Sequence, residues 1–147
     1  METKTIGFAS DHAGFVLKNT LLDYMEAKGY TCHDFGTHSE ESCDYPDFAH
    51  LLARAVEAAQ VDRGIALCGT GNGIAMALNK HQGIRAAISW NNEMARLTRA
   101  HNDANILVLP ARFITPDEAK AMADIFFSTS FDGGRHQRRI DKIPEPF

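Results

Sequence analysis

The sequence predicts an α/β fold in which a mostly parallel five-stranded sheet is covered by helices. Three observations lead there. Short β-type runs and longer helical patterns alternate about five times along 147 residues, the rhythm of strands joined by helical crossovers. The length suits one domain with its own core, and no repeat or linker divides residues 1–147. Most of the reactive side chains gather just after strands, where open α/β sheets hold their ligands.

Thr5 to Ala9 reads as a buried strand, followed by helical spacing of Phe15, Val16, Leu21, Leu22 and Met25 between His12 and Lys28, with Gly29 as the stop. Tyr30 to Phe35 is a second strand, and Gly36 to Ser42 a polar loop. Asp44-Tyr45-Pro46 opens an alanine-rich helix to about Gln60, with the proline tolerated in its first turn. Gly64 to Cys68 is a third strand, from which glycines lead into a helix through Ile74, Ala75, Ala77 and Leu78. Arg85 to Ser89 is a fourth strand, Asn91 a cap for a helix from Glu93 to Ala100, and Asn105 to Leu109 a fifth strand. Thr115-Pro116-Asp117-Glu118 has the form of a capping box before a helix from Ala119 to Phe127.

Composition narrows the function. Hydrophobic residues make up 44%, a globular share, and the net charge is −4. Neutralising nucleic-acid phosphates needs a basic surface, so no nucleic-acid partner is expected. Three cysteines cannot all pair internally, and no metal-ligand spacing accompanies them, so no metal is expected. No apolar run approaches a membrane span, and nothing at the N-terminus resembles a signal peptide. A cytoplasmic protein without membrane contact is the expectation.

Four segments carry candidate chemistry. In Ser10-Asp11-His12-Ala13-Gly14, Asp11 can accept hydrogen bonds from sugar hydroxyls and His12 can donate to an anion. The plainer reading of this segment is a helix cap. Cys68-Gly69-Thr70-Gly71-Asn72-Gly73 joins a thiol to a glycine-rich loop whose backbone N–H groups can face an anion. A dinucleotide loop would need its third glycine one position later, where Ile74 stands. The plainer reading of Cys68 is a buried core residue. His101-Asn102-Asp103 joins a proton-transfer group to turn-forming side chains. In the tail, Arg135 and Arg139 share one face if Gly134 starts a helix, whereas Arg138 points elsewhere. Arg112, just past the fifth strand, is a further anion contact.

Asp11-His12-Ala13-Gly14, Asp44-Tyr45-Pro46, the Cys68–Gly73 loop, Asn79-Lys80, His101-Asn102-Asp103 and Gly133-Gly134-Arg135-His136-Gln137 occur together and in this order. The chain thereby resembles ribose-5-phosphate isomerases of the B type, a family that also includes allose-6-phosphate isomerases and galactose-6-phosphate isomerase subunits. The resemblance runs almost end to end. It implies a Rossmann-like three-layer α/β/α sandwich and a homodimer or dimer of dimers with active sites shared between subunits. It implies neither metal nor nucleotide cofactor, and a phosphorylated sugar as the small-molecule partner.

By matching position, the resemblance makes Cys68 the base that moves a proton between C1 and C2. It gives enediolate stabilisation to the N–H groups of Gly69, Thr70, Gly71, Asn72 and Gly73. Ring opening falls to His101 with Thr70, and sugar contacts to Asp11, Asn102 and Tyr45. His12, Arg112, Arg135 and Arg139 bind or flank the phosphate, some from the partner chain, and the tail from about residue 133 to 147 serves that site or the dimer contact. Some relatives lack the cysteine and carry a glutamate directly after the last loop glycine. Here that place is Ile74, so the chain is of the cysteine type. The substrate is expected to be ribose 5-phosphate, with allose 6-phosphate, galactose 6-phosphate or a tetrulose phosphate as alternatives. A binder without catalysis would need neither Cys68 nor His101.

Overall fold

The computed structural model describes residues 2–146. Its elements run β1 (Thr5–Ser10), α1 (Phe15–Ala27), β2 (Thr31–Asp34), α2 (Tyr45–Glu57), β3 (Arg63–Cys68), α3 (Asn72–Leu78), β4 (Ala86–Ile88), α4 (Asn92–Ala100), β5 (Ile106–Pro110), α5 (Pro116–Ser128) and α6 (Arg135–Asp141). The five strands form one sheet in the order β2-β1-β3-β5-β4. Every pairing is parallel.

Right-handed crossovers fix which helix lies on which face. The chain steps one way from β1 to β2 and from β4 to β5, and the other way from β2 to β3 and from β3 to β4. Thus α1 and α4 share one face with α5, and α2 and α3 share the other. The core divides accordingly. One cluster packs Leu17, Leu21, Ala95, Met122 and Phe126 on Phe8, Ile65 and Leu107. The other packs Ala49, Leu52, Ile74 and Leu78 on Ala66, Ile106 and Val108. Central strands covered on both faces run apolar, as β3 does from Gly64 to Cys68 and β5 along its length.

Some boundaries differ from the sequence reading. α1 starts at Phe15 rather than His12, because the Asp11 carboxylate accepts hydrogen bonds from the N–H groups of Ala13 (3.0 Å) and Gly14 (3.2 Å) and holds those residues in a turn. β4 spans three residues, since the Arg85 N–H donates to the Asn105 side chain (2.8 Å) instead of to a strand. Asn91 caps α4 through the Met94 N–H, and Thr115 and Glu118 form a reciprocal capping box on α5. One ion pair ties α1 to β2: the fully buried Lys18 Nζ lies 2.6 Å from Asp34 Oδ2. Among the described residues no helix is long and apolar enough to cross a membrane.

Candidate active site

The order of the strands reverses direction between β1 and β3, so the connections leaving their carboxyl ends turn to opposite faces and leave a crevice. A cleft of about 570 Å³ opens there, lined by Asp11, His12, Tyr45, Gly69 and Arg112 among others. Residues from three loops and one helix start, all singled out in the sequence, meet in one place.

Close packing holds each of them. The Asp11 N–H donates to the Leu67 carbonyl (3.3 Å), one residue before Cys68. A Cβ on Gly14 would stand 2.7 Å from that of Leu67, so only glycine lets the β1–α1 turn lie this close to β3. His12 Nδ1 accepts the backbone N–H of Cys43 at 3.2 Å, which leaves its ring proton on Nε2 as a donor. Arg112 lies along Gly69, with side-chain atoms 3.3 Å from where a Cβ would be. Its own N–H donates to the Gly69 carbonyl (3.1 Å). The Tyr45 ring lies over Gly73, 2.5 Å from the same imagined position. Cys68 ends β3 as a free, buried thiol next to the cleft lining.

The loop after Cys68 turns through Gly71, whose φ of +80° favours glycine. Thr70 Oγ1 accepts the Asn72 N–H (3.2 Å), so that donor is already engaged within the loop.

The remaining predicted residues lie elsewhere. α4 runs back across the sheet, so His101 and Asn102 precede β5 at its amino edge, opposite Cys68. The general expectation that reactive residues follow strands fails for this pair. His101 stacks on His136 with ring centres 4.3 Å apart and planes 15° from parallel. Desolvation, followed by the nearby His101 and Arg135 charges, lowers the proton affinity of His136 below the ordinary histidine value. Asp132 completes a cluster whose potential ligand atoms lie within 4.8 Å of one another. Asp103, at φ +46°, bonds both Arg85 and Arg99 and so fixes the turn that carries His101 and Asn102. The tail is helical as α6, with Arg135 and Arg139 one turn apart and exposed.

Sequence reasoning missed Cys43 and Asp44 as part of the cleft, and Asp132 beside His101. Cys43 meets His12 across 31 residues, a pairing that no local pattern announces.

A family model described as Ribose/Galactose Isomerase matches residues 6–143. The ribose-5-phosphate isomerase B of Escherichia coli K12 is 41% identical over 140 residues, covering 95% of this chain and 94% of its own. Among solved structures, a ribose 5-phosphate isomerase from Thermotoga maritima shares 51% identity with a TM-score of 0.94, covering 96% of this chain and 97% of that one. Ribose-5-phosphate isomerase B from Mycoplasma genitalium, solved with bound ribulose-5-phosphate, shares 42% identity with a TM-score of 0.92, covering 98% and 96%. With a matched fold, a full-length family match and relatives of this identity, the chain belongs to the ribose/galactose isomerase family, alongside proteins named ribose-5-phosphate isomerase B.

Proposed function

We propose that this chain interconverts D-ribose 5-phosphate and D-ribulose 5-phosphate in the cytoplasm, as a homodimer or dimer of dimers with shared active sites. The observation that carries this reading is the cleft at the β1/β3 switch. Asp11, His12, Tyr45, Gly69 and Arg112 line it, and Cys68 adjoins it.

Aldose–ketose isomerisation needs an opened ring, a proton removed beside the carbonyl, and negative charge held on oxygen. In this reading His101, helped by Thr70, moves the ring-opening proton. The Cys68 thiolate then takes the proton from C2 of the open aldose. The C2–H electrons form the C1=C2 bond, and the carbonyl electrons pass to O1, giving an enediolate. Loop N–H groups of Gly69, Thr70, Gly71, Asn72 and Gly73 hold that charge, with Asn72 contributing least because Thr70 already engages it. A proton passes from the O2 hydroxyl to O1, and delivery of the carbon-bound proton to C1 as O2 becomes the carbonyl gives the ketose. The phosphate does not react, so its contacts supply binding and orientation. His12, through its Nε2–H, and Arg112 hold it from one chain, and Arg135 and Arg139 from the other. Asp11 and Asn102 receive sugar hydroxyls, and Tyr45 walls the site. No step needs a metal, because backbone N–H donors can carry the developing charge.

The division of the single chain supports the shared site. Cys68 and His101 lie at opposite edges of the sheet, so a centre that needs both draws one from each subunit. A coupled assay over purified ribose 5-phosphate, allose 6-phosphate, galactose 6-phosphate and erythrulose 4-phosphate tests the substrate. Highest kcat/KM on ribose 5-phosphate is expected. A hexose phosphate turned over faster would move the assignment, and binding without turnover of any would remove it.

A further inference from the structure

We propose that the amino edge of the sheet carries a second oxyanion site, built on Arg63 and Arg99, that takes a phosphate group, free or on a small metabolite. Arg63 opens β3, and Arg99 lies in the last turn of α4. Both line a cavity of about 730 Å³ that also touches Tyr30, Asp62, Phe131 and the segment after α5. His101, Asn102, Arg135 and Arg139 do not line it. It lies at the edge of the sheet opposite Cys68.

The first argument is an unfilled fork. Arg99 is 3% exposed. Its Nη1 is saturated by Asp103 Oδ1 (2.8 Å) and the Ala104 carbonyl (2.6 Å). Its Nε is buried and has no hydrogen-bond partner. Buried donors rarely go unpaired. Nε and Nη2 together form the edge of a guanidinium that grips a carboxylate or phosphate with two parallel hydrogen bonds. On Arg99 that edge makes no hydrogen bond among the described residues.

The second argument is an unbalanced neighbour. Arg63 is partly buried, and among the described residues its guanidinium makes no hydrogen bond. Its guanidinium carbon lies 6.0 Å from the Phe126 ring centre, and that of Arg99 lies 5.7 Å from the same ring. Burial, and then the charge of Arg99, lower the proton affinity of Arg63 by more than Asp103 and Asp62 raise it. Asp62 and Asp103 also line the cavity, but each already accepts several hydrogen bonds. Asp103 is shared by Arg99 and Arg85, and Asp62 accepts the N–H groups of Lys4 and Thr5. Glu2 is the third carboxylate of the lining. The Ser128 and Thr129 hydroxyls donate to carbonyls of α5, and the two guanidiniums are the cationic donors of the lining. Both guanidiniums belong to the lining of this one cavity, and 730 Å³ has room for a phosphate and the rest of a small metabolite.

The test titrates inorganic phosphate into the full-length protein and follows the Arg99 Nε–H resonance in 1H–15N spectra, which needs no substitution. Calorimetry on wild type, Arg63→Gln and Arg112→Ala counts the sites. A shift of the Arg99 Nε–H signal is expected, with two phosphates per chain in wild type. Arg63→Gln should remove one, weakening it at least tenfold while leaving kcat for the sugar reaction unchanged, and Arg112→Ala should spare it. Tighter binding of glycerol 3-phosphate than of phosphate in the Arg112→Ala background would identify a metabolite as occupant, and equal binding the free anion. An Arg99 signal unmoved at saturating phosphate, or phosphate binding indifferent to Arg63→Gln, overturns the proposal. This site does not depend on the sugar reaction, so failure of either reading leaves the other standing.

Discussion

Cys68 closes β3 at the carboxyl edge of the sheet, whereas His101 follows α4 at the amino edge, with the length of β5 between those edges. At ~3.3 Å per residue that separation is on the order of 13 Å, too far for two groups to act on adjacent atoms of one small sugar. Cys68→Ala and His101→Asn should each lose ~10²–10⁴ in kcat as homo-oligomers. Mixed, dissociated and reassembled in equal amounts, they should recover about a quarter of wild-type activity, because half the random dimers are mixed and each has one intact site. No recovery from properly mixed dimers would place both groups in one subunit's site and overturn the shared centre.

The packing of Tyr45 over Gly73 gives a second expectation. A Cβ at position 73 would stand 2.5 Å from Tyr45 Cζ. Tyr45 is 37% exposed and can swing outward, so relief is available without moving backbone. Gly73→Ala should therefore change stability by less than about 1 kcal/mol yet raise KM several-fold, because Tyr45 leaves the cleft wall. In a Tyr45→Ala background the added methyl should cost little more, a non-additive pair. A large fall in Tm with unchanged KM would place the clash in the α3 backbone instead.

These two cases show what the sequence can and cannot reveal. The fold class was legible because strand and helix periods alternate cleanly and the runs Gly64–Cys68 and Ile106–Pro110 are apolar. The Cys68 loop and Asp11-His12 were legible because they follow β1 and β3, where the switch point lies. The cap of α4 by Asn91 and the capping box on α5 were legible because caps are local chemistry. What was not legible is long-range. That Cys43 orients His12, or that His136 stacks on His101, depends on loops meeting in space. The start of α1 was misread because Asp11 engages its own downstream N–H groups, and apolar spacing does not report that competition.

Asp62 supplies a pH expectation. Its carboxylate accepts the N–H groups of Lys4 (2.8 Å) and Thr5 (3.1 Å), clamping the start of β1 beside β3. The Lys4 N–H first, against some desolvation, and then Thr5 hold its pKa below the ordinary carboxylate value. A depressed folded pKa stabilises the fold above the unfolded value of about 3.9, and that contribution fades as pH falls through the folded value. Asp62→Asn should thus melt below wild type at pH 7, with the gap closing below about pH 4. A gap that persists unchanged into acid would mean that shape rather than charge makes the clamp.

The last prediction concerns α6. Gly133 and Gly134, at φ +71° and +59°, turn the chain so that a helix begins at Arg135. Arg135 and Arg139 then lie four residues apart on one face, and Arg138 is rotated by about 100° from Arg139. All three are exposed, so none should matter to folding. Each of Arg135→Ala and Arg139→Ala should raise KM for the phosphorylated sugar by an amount worth about 1.5–3 kcal/mol, as for a hydrogen bond to a charged group. Their effects should be coupled, since both would hold one dianion, and the double variant should depart from additivity. Arg138→Ala is the internal control and should change KM little. Equal damage from Arg138→Ala would reduce the tail to a general basic patch, and no effect from any of the three would leave the phosphate to His12 and Arg112. The same series measured with the Arg112→Ala variant separates the two halves. If α6 grips from the neighbouring subunit, Arg135→Ala in one chain should couple to Arg112→Ala in the other, and not to Arg112→Ala in its own.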